Sequence, residues 1–350
     1  MTWGVLRGYL LSAVMVAVIF ALLALQSLGP WAHGNPSAPA PWPATHASGV
    51  AIGVTTVSLA RNSFRAWQLA DLTEVNAFEQ HARLHADIVM WFTDWEHGTF
   101  DANQSRAVAK RGSVPEISWE PWDSRVGLRR PQPKYTLKSI IDGRHDGYIR
   151  RFAEAVSRYG GSLRLRFAQE MNGTWYPWSE SQNGNSRGQF VKAWRHVHAI
   201  FAAAGATNVT WIWSPVAGTI PAWEYPGSSQ VDVVGLSGFN GGTILFAKRW
   251  RPFPAFFGPS LDAIHALAPG KPVALTEIAS TEQGGDKATW IRTMFTEVRR
   301  RPYIRSLTWF NVRKETDWRI ESSLEAQAAF AEGAASLRDS VSRPSQMILR

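Results

Sequence analysis

Two carboxyl groups in this chain have the type and setting to do chemistry. Glu170 closes the run Arg164–Leu165–Arg166–Phe167–Ala168–Gln169–Glu170, and Glu277 closes Pro272–Val273–Ala274–Leu275–Thr276–Glu277. Each run is apolar enough to read as a strand, so each acid sits at a strand end. An isolated glutamate in such a place is most often a surface or ion-pair residue. A pair is different, because two carboxyls held roughly 5 Å apart can cleave a glycosidic bond with retention, one protonating the leaving oxygen while the other attacks the anomeric carbon. For the proton donor to work near neutrality its pKa must lie above that of its partner, and apolar neighbours such as Met171, Trp175 and Trp178 favour that by desolvation.

The surroundings of both acids are aromatic. The chain holds 18 tryptophans, and many fall just after an apolar run: Trp91 and Trp95, Trp119 and Trp122, Trp175 and Trp178, Trp211 and Trp213, and Trp309. Indole faces stack on the C–H faces of sugar rings, which suits a polysaccharide cleft. Trp211 suits a core position equally well, whereas Trp175, Trp178 and Trp309 lie at strand ends or in the loops that follow.

Positioning these groups requires a scaffold. From about Gly49 onwards, short β-branched and aromatic runs alternate with longer helical patterns, the mark of repeated β/α units. Strands are expected at 51–57, 87–92, 114–119, 162–169, 209–214, 231–237, 272–277 and 304–311. Helices are expected at 73–84, 147–159, 189–204, 260–267 and 287–299. Eight such units in about 300 residues fit a single (β/α)8 TIM barrel of the α/β class, in which Glu170 and Glu277 fall at the C-terminal ends of the fourth and seventh strands. A doubly wound open sheet is the architectural alternative. On the fourth strand Leu163, Leu165 and Phe167 share a face that can pack on helices, while Arg164, Arg166, Ala168 and Glu170 share the face that points inward. Arginines inside a barrel need partners, and Glu116 on the third strand is the nearest candidate, a supporting rather than a reacting acid.

These motifs together resemble a known family. Phe167–Ala168–Gln169–Glu170–Met171–Asn172–Gly173–Thr174–Trp175, followed by Trp178, is similar to the acid/base motif of glycoside hydrolase family 26, the β-mannanase family of clan A, and Leu275–Thr276–Glu277 is similar to its nucleophile motif. The resemblance continues through Thr93–Asp94–Trp95, Trp211–Ile212–Trp213–Ser214–Pro215, Gly235–Leu236–Ser237–Gly238–Phe239–Asn240, and Trp309–Phe310–Asn311 to Asp317–Trp318–Arg319. It spans most of residues 50–325. What it implies is a retaining, endo-acting β-glycanase with Glu170 as acid/base and Glu277 as nucleophile. It also implies that Trp175 and Trp309 line the subsite where the bond breaks. Gln169, Asn172, Trp178, Phe239, Asn240 and Trp119 are expected to complete the substrate contacts. The chain departs from the family pattern in two places, with Gln169 where a histidine usually precedes the acid/base and Phe239 where a tyrosine usually supports the nucleophile. Glutamine still donates but cannot titrate, and phenylalanine cannot donate, which leaves Asn240 to compensate or the substrate and pH optimum to differ.

The remaining sequence bounds the setting. Arg7 precedes an almost unbroken apolar stretch from Gly8 to Leu25, and no small-x-small cleavage site follows that Pro30 and Pro41 do not spoil. Residues 1–28 are therefore expected to form a signal anchor, with a cleaved signal peptide as the alternative. Residues 29–48, with five prolines among Ala, Ser and Gly, read as a semi-rigid spacer, and 49–342 as the catalytic domain, exported to the far side of the membrane. The chain lacks cysteine, which excludes a disulfide scaffold. A net charge of +9 is carried by scattered Lys and Arg and comes without a binding motif, so a nucleic-acid partner is not expected. His81 and His85 lack the acidic companion of a zinc motif, and neither a phosphate loop nor a Gly-x-Ser-x-Gly elbow is present, so no metal or cofactor is expected. A monomer acting on β-1,4-mannan is the expectation. Mixed-linkage β-glucan, β-1,3-xylan, the cell's own exopolysaccharide, or a surface glycan-binding role without turnover are the alternatives.

Overall fold

The computed structural model describes residues 49–56, 72–245 and 248–339, so the expected anchor at 1–28 and spacer at 29–48 lie outside the described residues. Eight strands close on themselves in sequence order: β1 (Ala51–Thr56), β2 (Ile88–Asp94), β3 (Val114–Glu120), β4 (Leu163–Phe167), β5 (Val209–Trp213), β6 (Val233–Asn240), β7 (Val273–Ser280) and β8 (Ile304–Asn311). All pairings are parallel, and β1 pairs with β8 from Ala51↔Ser306 to Thr56↔Asn311. That closure excludes the open sheet, because no strand is left with an unpaired edge.

The helices are α1 (Thr73–Ala82), α2 (Ala102–Lys110), α3 (Leu137–Ile141), α4 (Asp146–Tyr159), α5 (Gln189–Ala203), α6 (Phe253–Leu267), α7 (Lys287–Arg300) and α8 (Leu324–Asp339). Three of them, α2, α3 and α8, are absent from the sequence expectation. The signals for them are polar rather than apolar. Asp101 caps α2 by accepting from Asn103 and Gln104 N–H groups at 2.9 Å, and Ser323 caps α8 by accepting from Ala326 at 3.1 Å. The sixth helix starts seven residues before the expected 260, because Pro254 sits in its first turn, where a missing N–H costs nothing. Among the described residues, β5 and β6 are joined without an α-helix, through a short 3-10 turn at Ala222–Glu224.

The expected alternation on β4 is present, and it makes the barrel interior polar on one side. Arg164 donates to Glu116 across the β3–β4 pair at 2.7 Å and to Ser306 at 3.3 Å, with both charged groups buried. Arg166, assigned by the sequence to the same acid, reaches Glu277 instead. The opposite side holds a small apolar cluster of Ile212, Val233 and Ala274. Gly235 lets β6 approach there, since a β-carbon on it would lie 2.8 Å from Ser214 and Thr276.

Period two also decides the tryptophans, and here two expectations are corrected. Glu116, Ser118 and Glu120 face inward on β3, so Trp119 faces outward. It packs on Phe152 of α4 at 4.5 Å and donates to Tyr148 Oη at 3.1 Å. Trp309 likewise alternates with Thr308 and Phe310 and lies between Trp290 of α7 and Phe330 of α8, its indole donating to the Trp318 carbonyl at 3.0 Å. Both are wholly buried in the layer between barrel and helices, out of reach of a ligand. Trp211 joins the same layer against Trp194 and Phe201.

The Arg164–Glu116 pair gives a first testable consequence. Arg164→Met leaves a carboxylate buried without its counter-charge and is expected to cost about 3–5 kcal/mol of unfolding free energy by urea titration. Restoring most of that loss in Arg164→Met/Glu116→Leu distinguishes a stranded charge from lost packing.

Candidate active site

A cleft of about 500 Å³ opens at the C-terminal mouth of the barrel, and its walls carry Glu170 and Glu277 together with Trp175, Tyr176, Phe239, Phe310 and Trp318. This is the end of the fold where loops from several strands converge.

Glu170 is brought there by a turn rather than by the strand itself. The fourth strand ends at Phe167, and Ala168 and Glu170 both adopt left-handed backbone, with φ of 49° and 56°. Each such residue costs roughly 1–2 kcal/mol without glycine's freedom. The turn is held by the Trp178 indole donating to the Gln169 carbonyl at 2.8 Å and by the Glu170 N–H donating to the Ser214 carbonyl at 2.7 Å. The carboxyl then accepts from Ser237 Oγ at 2.7 Å and from the Trp175 indole at 2.9 Å. Gly173 makes that indole position possible, since a β-carbon there would come within 2.5 Å of the Trp175 ring.

Glu277 depends on an irregularity. Along β7, Ala274 belongs to the barrel interior and Leu275 to the helix-facing core, so strict alternation would turn Glu277 outward. The pairing with β6 runs Leu236↔Leu275 and then Ser237↔Glu277, which makes Thr276 the extra residue of a bulge and swings Glu277 inward. Thr276 also faces in, its hydroxyl 2.7 Å from Ser214 Oγ. Arg166 meets Glu277 Oε2 at 3.0 Å and is itself fully buried, with further bonds to Ser118 at 2.8 Å and Ser214 at 3.3 Å. Burial pushes the Glu277 carboxyl up to about 7. The Arg166 guanidinium pulls against that rise, and the nearby Glu170 charge adds to it.

A third acid lies beside the pair. Glu120 is buried at the end of β3, accepting from Gln169 Nε2 at 2.7 Å and the Trp122 indole at 3.1 Å. Burial lifts it to about 8 from an ordinary value of 4.5, against the pull of those two bonds and with help from the charges of Asp94 and Glu277. The native state therefore keeps a proton on Glu120 that the unfolded chain loses above about pH 4.5. Stability falls as pH rises through the window from about 4.5 to about 8. Glu120→Gln cannot ionise, and the expected result is a markedly flatter decline in thermal midpoint between pH 5 and 8 than the parent shows. An unchanged slope would mean that Glu120 is ionised in the native state.

Several expected substrate contacts turn out to be engaged elsewhere. Gln169 is 1% exposed and spends its donor on Glu120. Trp178 is buried behind the wall, stacked on Tyr176 at 4.1 Å, so it backs the ring that lines the cleft rather than lining it. Asn172 ties two loops together, donating to the Val216 and Thr219 carbonyls at 3.0 and 3.2 Å while accepting from the Val216 N–H at 2.8 Å. Asn240 donates to Ser280 Oγ at 3.0 Å and accepts from the Arg251 N–H at 3.0 Å, so it does not replace the donor missing at Phe239. Phe239 does line the cleft, edge-on to Phe310 at 5.1 Å and Trp318 at 5.3 Å.

The residues that the sequence reading missed are Arg166 as partner of Glu277, Ser237 as donor to Glu170, and Tyr176, Phe310 and Trp318 as walls. Phe310 could have been found by continuing the inward parity of Ser306 and Thr308. Lys287 was also missed. Its buried amine is lowered to about 8 by desolvation and donates to the Arg319 carbonyl at 2.7 Å, Ser322 Oγ at 2.8 Å and the Asp317 carbonyl at 3.3 Å. It thereby fixes the segment that presents Trp318.

Fold and site together define a (β/α)8 barrel of the two-carboxylate kind, with Glu170 on the turn that follows β4 and Glu277 at the bulge within β7. Residues 149–272 match the model of glycosyl hydrolase family 26. It is 33% identical over 338 residues to endoglucanase H of Acetivibrio thermocellus, a match covering 93% of this chain and 33% of that protein. It is 27% identical over 148 residues to the mannan endo-1,4-beta-mannosidase of Bacillus subtilis, covering 37% of this chain and 41% of that one. The chain thus spans less than half the length of either curated relative. Among solved structures, the modular endo-beta-1,4-mannanase of Cellulomonas fimi superposes with a TM-score of 0.61 at 17% identity, over 82% of this chain and 70% of that one, a likeness of fold.

Proposed function

We propose that this chain is an endo-acting β-glycanase that cleaves its substrate with retention, Glu277 being the nucleophile and Glu170 the acid/base. The observation that carries the reading is the unequal company of two carboxyls in one cleft. Glu277 has a guanidinium at 3.0 Å, which offsets part of the rise that burial imposes on its pKa and so favours the ionised, attacking form. Among the described residues Glu170 has a hydroxyl and an indole N–H as hydrogen-bond partners, both neutral, and the hydroxyl can accept as readily as donate, which suits the group that exchanges a proton with the leaving oxygen. In the first step Glu277 attacks the anomeric carbon as Glu170 protonates the departing oxygen. In the second, Glu170 takes a proton from water, which displaces Glu277. The aromatic wall of Trp175, Tyr176, Phe239, Phe310 and Trp318 suits stacked sugar rings.

A β-1,4-linked mannan backbone is the primary reading, in keeping with the mannosidase relative and the motifs around Glu170 and Glu277. A β-1,4-glucan backbone is the second, favoured by the longer and more identical match to an endoglucanase. The apolar stretch after Arg7 and the proline-rich residues beyond it support an exported, membrane-tethered protein. Recovery of the protein wholly in the medium with a new N-terminus past Leu25 would refute the tether.

The test is reducing-end release by the full chain from β-mannan, carboxymethyl cellulose, mixed-linkage β-glucan and β-1,3-xylan, with Glu170→Gln/Glu277→Gln as the blank. Release above the blank, with a rapid fall in viscosity, supports endo-hydrolysis and identifies the backbone. Binding without release would make the protein a surface glycan-binding barrel.

A further inference from the structure

Exposed apolar side chains gather at one end of the barrel. Among the described residues the large ones are Val126 and Leu128 after β3, Trp223 after β5, Ile244 after β6 and Leu324 at the start of α8. Each stands on a connection that leaves the C-terminal end of a strand, the end that carries the cleft, and Leu128 lines the cleft itself. A single exposed leucine or isoleucine is ordinary on any surface. Trp223 is not, being the one exposed tryptophan among the described residues, at 48%. It stands on a fixed turn. Its neighbour Glu224 is buried, Tyr225 packs edge-on to Trp213 at 5.2 Å, and Arg195 of α5 donates to the Pro226 carbonyl at 2.9 Å. The Arg187 guanidinium lies over the indole at 4.7 Å, and no other described ring meets it. Arg187 stands two residues before α5, whose first turn is at the mouth, so this contact holds Trp223 at the mouth end and not down the side of the barrel. The same connection begins with Val216, which lines the cleft and donates to Asn172 at 2.8 Å.

We infer that Trp223 is a sugar-stacking platform outside the cleft, where a polymeric glycan is held while another stretch of it is cut. The inference rests on the glycanase reading and adds to it a preference for polymer over short oligosaccharide. An indole offers its face to the C–H face of a sugar ring, and with a cation on one side the other side is the one left to stack. A ring already pinned to a rigid turn gives up little freedom on binding. Two separate contacts on one end of the barrel hold a polymer more tightly than either does alone, whereas a short oligosaccharide engages only one of them.

The test compares a solid glycan with a short soluble one. Adsorption is measured with full-chain Glu170→Gln/Glu277→Gln on insoluble β-1,4-mannan and on swollen β-1,4-glucan, and turnover with the active full chain on those solids and on their tetrasaccharides. Adding Trp223→Ser is expected to weaken adsorption about threefold to tenfold, as for the loss of one aromatic stacking partner, and to slow turnover of dilute solid to match. The same change should leave kcat/KM on the tetrasaccharide within about twofold. Trp223→Phe should keep most of the adsorption, and Leu324→Ser, which removes an exposed side chain without a ring, should leave it unchanged. Unchanged adsorption by Trp223→Ser, an equal loss from Leu324→Ser, or an equal loss of tetrasaccharide turnover would overturn the platform while leaving the glycanase reading intact. Absence of both adsorption and turnover on either backbone would overturn both.

Discussion

Glu277→Ala is expected to lower kcat by roughly four to six orders of magnitude, the scale seen when a covalent nucleophile is removed. Azide should restore part of the rate by occupying the space the side chain vacates, and the product should be the glycosyl azide of inverted configuration, because only one displacement then occurs. Glu170→Ala should behave differently. On aryl glycosides with good leaving groups the first step needs no proton, so that step should stay fast and the glycosyl-enzyme should accumulate as a burst, released when azide replaces the base-assisted water. In that variant the azide product keeps its configuration. The two products therefore assign the two roles without reference to sequence. Equal, unrescued losses in both variants would remove the distinction drawn from their hydrogen-bond partners.

The second large effect is expected at Arg166. Its guanidinium opposes the rise in the Glu277 pKa, so Arg166→Met should carry that carboxyl above about 7 and move the ascending limb of kcat/KM to higher pH. A loss of about 10²–10³-fold at pH 7 is expected, comparable to removing one preorganised electrostatic partner. The displaced limb separates this from a packing defect, which would lower activity at every pH alike. Arg166→Lys keeps the charge but loses the fork to Ser118 and Ser214, and should restore part of the limb position without the full rate.

The barrel was legible because its strands announce themselves by composition, and the predicted 304–311 strand coincides with β8. The site was legible in its acids and less so in its walls, for a reason visible at particular residues. Tryptophans 119 and 309 lie at the C-terminal ends of strands, where sugar platforms belong, but the strand period turns each of them toward the helices. The alternation that reads Arg164 and Arg166 as inward on β4 gives the same answer at Trp119 once it is applied. Glu277 is the reverse case, since alternation alone places it outside, and only the bulge at Thr276 brings it in. A bulge of one residue leaves no compositional trace in Leu275–Thr276–Glu277, and it appears only when the β6 and β7 registers are compared. The partners of Glu170 are equally long-range: Ser237 lies 67 residues away and reaches it because the barrel closes.

The left-handed turn at the end of β4 carries an evolutionary implication. Folding alone has no use for an alanine and a glutamate at φ 49° and 56°, since glycine or asparagine would hold that backbone at lower cost. A lineage released from the need to process glycans should drift toward those residues at 168 and 170, and its members should melt at higher temperature as they lose turnover. Glutamate at 170 is therefore held by what its carboxyl does in the cleft and not by what the turn needs.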